Sequence, residues 1–181
     1  MEWNTDNADV ADHHRSKINE EMNIRFYISL IVLLGISGIA TATPSDTLVV
    51  KVMGTHDDAR FEPAIIQVQP GNVVRFEVVE GLHTVTAYHP DNRRPLRIPN
   101  TASSFDSGML NAGDSWSLLI EEEGVIDYFC LPHEKLGHAG RIISGTEYII
   151  PNYEDDLLPE AVLETLNKAQ KHFLNQKQTE S

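Results

Sequence analysis

Between residues 48 and 150 the apolar positions come in short runs, several alternating with polar ones, and never settle into a long helical period. Runs at 48–53, 65–69, 73–79, 82–88, 115–120, 125–129 and 141–150 are rich in Val, Ile, Leu, Phe and Tyr and predict strands. Pro70-Gly71, Glu80-Gly81, Ala112-Gly113-Asp114 and Glu123-Gly124 punctuate them as turns. Short strands so spaced predict an all-β chain, an antiparallel β-sandwich. Residues 89–110, with Pro90, Pro95 and Pro99, form a long insert better read as an ordered loop. After Pro151 the period changes. Pro159 suits a first helical turn, and Val162, Leu166, Ala169 and Phe173 follow at i, i+4, i+7 and i+11, one face of an amphipathic C-terminal helix. That face either docks on the sandwich or receives a partner; the period alone does not choose.

The front of the chain has a different pattern. Residues 26–45 carry no charged side chain, and Ala40-Thr41-Ala42 is a small-x-small triplet of the kind that ends a secretory signal. Counted from Met22, the run has a single leading cation, Arg25; counted from Met1, it is preceded by six acids, which suits a signal poorly. We therefore expect translation to start at Met22, a signal peptide region over 1–42 cleaved after Ala42, a domain over 43–150 and a tail over 151–181. The other reading is an uncleaved anchor, since about 20 uncharged residues just span a bilayer. Both place the remainder outside the cytoplasm, in the periplasm or secreted.

Charge and cysteine content narrow the functions. Fourteen Lys and Arg against 27 Asp and Glu give a net charge of -13, with no clustered basic face. Nucleic acid is excluded as a partner on that balance. One cysteine, Cys130, excludes an internal disulfide framework and a multi-cysteine zinc site, and leaves a nucleophile, a packing residue or a metal thiolate. An exported lone thiol is exposed to oxidation unless it is buried or bound.

The stretch from Asp127 to His138 (DYFCLPHEKLGH) carries the chemistry. A strand ends in Cys130, and a short loop then offers His133 and His138. Cys-x2-His brings a thiolate and an imidazole close together, and His83, at the start of the 82–88 run, is the natural donor from a distant segment. Two imidazoles, a thiolate and a further axial group make the ligand set of mononuclear copper electron-transfer sites.

Phe61-Glu62-Pro63 before a strand, Gln69-Pro70-Gly71, the His83 strand, Phe105-Asp106-Ser107-Gly108, Gly124 through Cys130, and Cys130-x2-His133 complete the pattern. Over roughly residues 47–150 it resembles the cupredoxins, the small blue copper proteins of plastocyanin, pseudoazurin and halocyanin type. The resemblance implies a Greek-key sandwich around one copper ion cycling between Cu(II) and Cu(I), with His83, Cys130 and His133 as ligands. Thr84 falls where relatives carry a small polar residue that ties the two ligand loops together, and Pro132 stiffens the loop between Cys130 and His133; both would act behind the ligands.

One position departs from the family. Where relatives place a weak axial Met, five residues after the second histidine, this chain has His138, and no Met follows Cys130. Met53 and Met109 lie off the ligand loop. The axial donor is then an imidazole, with water or Glu134 as the other occupants. Imidazole is a harder, stronger donor than a thioether and favours Cu(II), so the expectation is a lower potential and absorption shifted from blue towards green or red.

Three functions follow. The first is an exported electron carrier, not an enzyme, passing electrons to a redox partner protein such as a cytochrome or a copper oxidase or reductase. The second is copper tolerance or delivery. The third is a red-copper-like protein acting on small nitrogen oxides, which needs a vacant coordination position. Glu121-Glu122-Glu123 is a docking patch or a solvated turn; Arg93, Arg94 and Arg97 form a basic island in the insert; His89 and His172 read as surface residues. Edman sequencing of the protein recovered from an expressing cell should begin at Thr43, and a product that retains Met1 would overturn the start and the cleavage together.

Overall fold

The computed structural model describes residues 46–146, 151 and 153–179. The expected signal region, its start at Met22 and the distal end of the last expected strand, 147–150, lie outside the described residues. Two four-stranded sheets face each other. One runs β2 (Arg60–Glu62), β1 (Thr47–Met53), β4 (Val73–Val78) and β8 (Ser115–Leu119). The other runs β3 (Ile65–Val68), β10 (Ala139–Ser144), β9 (Gly124–Phe129) and β6 (Thr86–Ala87). The third, of two strands, pairs β5 (Leu82–His83) with β7 (Leu110–Asn111).

Alternation explains the first sheet. Val50 and Val52 of β1 and Val74, Phe76 and Val78 of β4 point inward, while Lys51 and Arg75 point to water. They meet Ile66, Val68, Ile126, Tyr128 and Ile142 of the second sheet in one core. The sandwich is mostly antiparallel, with two parallel ladders, β1 on β4 and β3 on β10.

β9 is buried on both faces, which is why its sequence reads as a nearly continuous apolar run. Its outer residue Phe129 joins Tyr88, Ala139, Leu158, Val162 and Leu166 in a second cluster. The last two belong to α1 (Glu160–Thr179), so the apolar face of the helix docks on the sandwich through its first half. Burying each of those side chains contributes about 1.5–3 kcal/mol.

The 82–88 run is not one strand. β5 pairs with β7 and β6 with β9, so the chain changes sheets at Thr84 and Val85, where Ser107 Oγ accepts the Val85 N–H at 2.8 Å. Alternation within so short a run carries no signal for the change. β2 and β7, three and two residues long, were not expected.

Of the basic island, Arg93 stays exposed and Arg94 half-buried, while Arg97 turns inward. Arg97 is buried, and its Nε donates to Asp127 Oδ2 at 2.9 Å, while Arg141 grips the same carboxylate through Nε at 2.6 Å. Arg97 Nη1 reaches Asp155 at 2.8 Å, its guanidinium lies 4.9 Å from the Tyr153 ring centroid, and Arg141 Nη1 reaches Gln170 of α1 at 2.8 Å. The tail is thus tied to β9 by charge as well as by apolar contact.

Leu166→Ala should lower the unfolding free energy by about 2–5 kcal/mol in urea titration, as expected for a cavity at a closed site. Unchanged stability would show that α1 does not dock.

Candidate metal centre

Four donors converge at one end of the sandwich. His83 sits at the end of β5, Cys130 directly follows β9, His133 lies in the 3₁₀ turn Leu131–Leu136, and His138 immediately precedes β10. Their ligand atoms all lie within 4.8 Å of one another. Cys130 Sγ is 3.6 Å from His83 Nδ1 and 3.4 Å from His133 Nδ1. The His83 ring centroid is 5.1 Å from that of His133 and 5.0 Å from that of His138. His83, Cys130 and His138 are fully buried; His133 keeps one edge in water.

Each donor is aimed from behind. His83 Nε2 lies 2.9 Å from two carbonyl oxygens, of Gly54 and Glu80, so it carries the proton and leaves the Nδ1 lone pair facing the sulfur. Glu80 Oε1 in turn accepts the Gly54 N–H at 3.0 Å and fixes that carbonyl. Gly81 has φ +85°, and a Cβ there would meet Gly54 O at 2.6 Å and His83 Nε2 at 2.7 Å. Only glycine lets the turn close against the ring.

Thr84 ties the two ligand segments together. Its N–H donates to Cys130 Sγ at 3.4 Å, and its Oγ1 accepts the Leu131 N–H at 2.8 Å. Pro132 occupies the first turn of the 3₁₀ segment, where its missing N–H leaves nothing unpaired. The Cys130 carbonyl accepts the His133 N–H and the Cys130 N–H donates to His138 O, both at 3.0 Å.

Burial sets the protonation of the cluster. It pushes the Cys130 thiol up, partly offset by the backbone N–H groups of Thr84 and His133. His133 is lowered by burial and by neighbouring His83. His138 is lowered to about 3, first by burial and then by His83 and His133. Its ring centroid lies 4.1 Å from that of Phe61, and neither ring nitrogen makes a well-formed hydrogen bond among the described residues, the Arg60 main chain only weakly offsetting the lowering. A fully buried imidazole so poorly paired forfeits much of its hydration, a cost that ligating a metal would offset. The donor set, three imidazoles and a thiolate, suits copper.

The remaining expected residues are elsewhere. Glu134 does not replace His138, because its carboxylate is held by Arg94 at 2.6–3.0 Å. The Glu121–Glu123 turn precedes β9, and six residues of extended chain put it about 20 Å from Cys130. His89 is half-buried and caps a short 3₁₀ turn through Asp91 N–H; His172 is exposed on α1. The roles of Gly54, Glu80 and Phe61 were not foreseen. Glu80-Gly81 was visible as a turn and Phe61-Glu62-Pro63 as a motif, but neither showed what it would touch.

His138 stays neutral in the folded metal-free chain until about pH 3, whereas an ordinary histidine binds its proton near 6.5. The unfolded state therefore binds more protons across that window. This group's share of the stability is lost as pH falls, at about 1.4 kcal/mol per pH unit. His138→Leu should flatten the dependence of metal-free unfolding between pH 6.5 and 4; equal slopes for the two chains would contradict the assignment.

Comparison with known proteins agrees with this geometry. Residues 48–144, more than half of the chain, match the family of copper binding proteins described as plastocyanin/azurin. The chain is 28% identical over 116 residues to the chloroplastic plastocyanin of Fritillaria agrestis, covering 60% of this chain and 70% of that protein. It is 29% identical over 85 residues to the pseudoazurin of Paracoccus pantotrophus, covering 47% and 52%. The crystal structure of pseudoazurin from Methylobacterium extorquens AM1 aligns with a TM-score of 0.55 at 18% identity, over 72% of this chain and 98% of that one, a likeness of fold. The chain belongs to the plastocyanin/azurin family of copper binding proteins, whose cofactor is one copper ion.

Proposed function

We propose that this is an exported mononuclear copper protein that carries electrons, with His83, Cys130, His133 and His138 as its ligands. The observation that carries the ligand set is the convergence on His138, fully buried, without a well-formed hydrogen bond at either ring nitrogen among the described residues, and with its ligand atom within 4.8 Å of those of three other donors. Copper bound there supplies a one-electron Cu(II)/Cu(I) couple.

The surrounding residues suit that role. His83 is locked in one tautomer, Thr84 joins the two ligand segments, and Pro132 limits the loop between two donors, so the donor geometry exists before metal arrives. A pre-set geometry lowers the rearrangement that accompanies a change of charge. His133 alone offers a half-exposed edge, through which an electron passes without a substrate pocket. Four inward donors leave no open position for a small nitrogen oxide, which favours a carrier over an enzyme. Three buried donors likewise favour retention of the ion over its delivery.

The partner is another redox protein, a cytochrome or a copper oxidase or reductase, met at the His133 edge. Placement outside the cytoplasm, in the periplasm or secreted, rests on the uncharged run at 26–45 and on the small-x-small triplet Ala40-Thr41-Ala42 within it. The corresponding division is a processed segment over 1–42, the copper domain over 43–150 and the tail over 151–181.

Titration of the metal-free chain with Cu(II) should saturate at one equivalent and produce thiolate-to-copper absorption that Cys130→Ser abolishes. His138→Met should move that absorption towards a single blue band and raise the potential. A spectrum indifferent to residue 138 would remove it from the ligand set, and preferential uptake of zinc over copper would overturn the function.

A further inference from the structure

Outside the four donors, a half-buried ion pair beside the site joins Arg94, in the insert, to Glu134, in the middle of the ligand loop. Three nitrogen–oxygen contacts of 2.9, 3.0 and 2.6 Å join the two side chains. The Glu134 side chain is only 8% exposed. The Arg94 guanidinium also lies over the Phe129 ring, 5.1 Å from its centroid, one residue before Cys130. A forked, charge-assisted contact of this kind fixes direction as well as distance.

Glu134 holds the loop at a second point. Its main-chain carbonyl accepts the Gly137 N–H at 2.9 Å, and His133 O accepts the His138 N–H at 3.2 Å, which closes the turn that aims His138. Gly137 has φ +86°, and a Cβ there would meet Ala161 O at 2.7 Å and Thr165 Oγ1 at 2.9 Å, both on α1. The loop between the two histidines is therefore gripped by the insert at Glu134 and seated on the tail helix at Gly137. Neither contact is part of a strand pairing.

We propose that Arg94 and Glu134 are positioning residues for the metal centre: their forked pair, with Gly137 seated against α1, holds the 133–138 loop so that His138 faces the other three donors. This rests on His138 being a copper ligand and adds what keeps it in place. Where a flexible thioether tolerates a long, weak contact, a rigid imidazole must be placed within bonding reach. The clamp answers that requirement from 40 residues away in sequence.

Removing one partner alone would bury an unpaired charge and confuse misfolding with mispositioning. The test therefore uses the double substitution Arg94→Met with Glu134→Leu, and Arg94→Lys as the conservative variant that keeps the charge and loses the fork. Two quantities are read in the full chain. In the metal-free protein, amide exchange at Gly137 and His138 should be at least tenfold faster in the double variant, with the β9 amides unchanged. In the copper-loaded protein, the ratio of the two thiolate-to-copper bands should move to that of His138→Ala, with Arg94→Lys between the double variant and the unmodified chain. Unchanged exchange overturns the proposal. Faster exchange with an unchanged band ratio overturns it too, since the pair would then be structural only. Failure of the unmodified chain to take up copper is a separate result, which defeats the proposed function itself and the positioning role with it.

Discussion

Two imidazoles and a thiol taken out of water, with a third imidazole at their edge and all four donor atoms gathered together, are unfavourable for the polypeptide alone. Each unpaired buried polar group forfeits its hydration. His138 shows this most plainly, without a well-formed hydrogen bond at either ring nitrogen among the described residues and with its basicity strongly depressed by burial. The scaffold must hold these groups in place against that penalty, and much of the remaining structure can be understood as the means. Gly54 and Glu80 fix the proton of His83 on the outer nitrogen, Thr84 hydrogen-bonds both to the sulfur and to the next residue's amide, and Phe61 covers His138.

The tail is part of the same device. Asp127 lies in the middle of β9, three residues before Cys130, and its carboxylate is shared by Arg97 and Arg141. Those arginines extend the contact to Asp155 and to Gln170 of α1, while Val162 and Leu166 cover Phe129 and Ala139. The strand that delivers the sulfur is thus supported on its outer face by the last segment of the chain. A site of low reorganisation needs such backing, because a ligand loop can be no stiffer than what it rests on.

The sequence makes the sandwich legible because alternation is strong in β1 and β4, where one face is core and the other water. It makes the donors legible because Cys130, His133 and His138 sit in one short run. It fails where structure depends on contacts distant along the chain. The strand break at Thr84 falls inside a run that looks uniform, since its cause is the switch of pairing partner from β7 to β9. Arg94 and Arg97 read only as part of a basic island, because three arginines in a Pro-rich loop give no hint of partners 40 and 30 residues further on. The amphipathic period of α1 was clear, yet what it covers became visible only once Phe129 and Ala139 were placed beside it.

Membership of a copper family fixes the metal, and the proposed ligand set adds His138, an imidazole where the family resemblance leads one to expect a thioether. The account therefore turns on how many nitrogens surround the ion. X-ray absorption at the copper edge of the loaded protein reads this directly. The account predicts a shell of one sulfur and three imidazole nitrogens, falling to two nitrogens in His138→Ala. A shell of one sulfur and two nitrogens in the unmodified chain, identical to that of the variant, would contradict it.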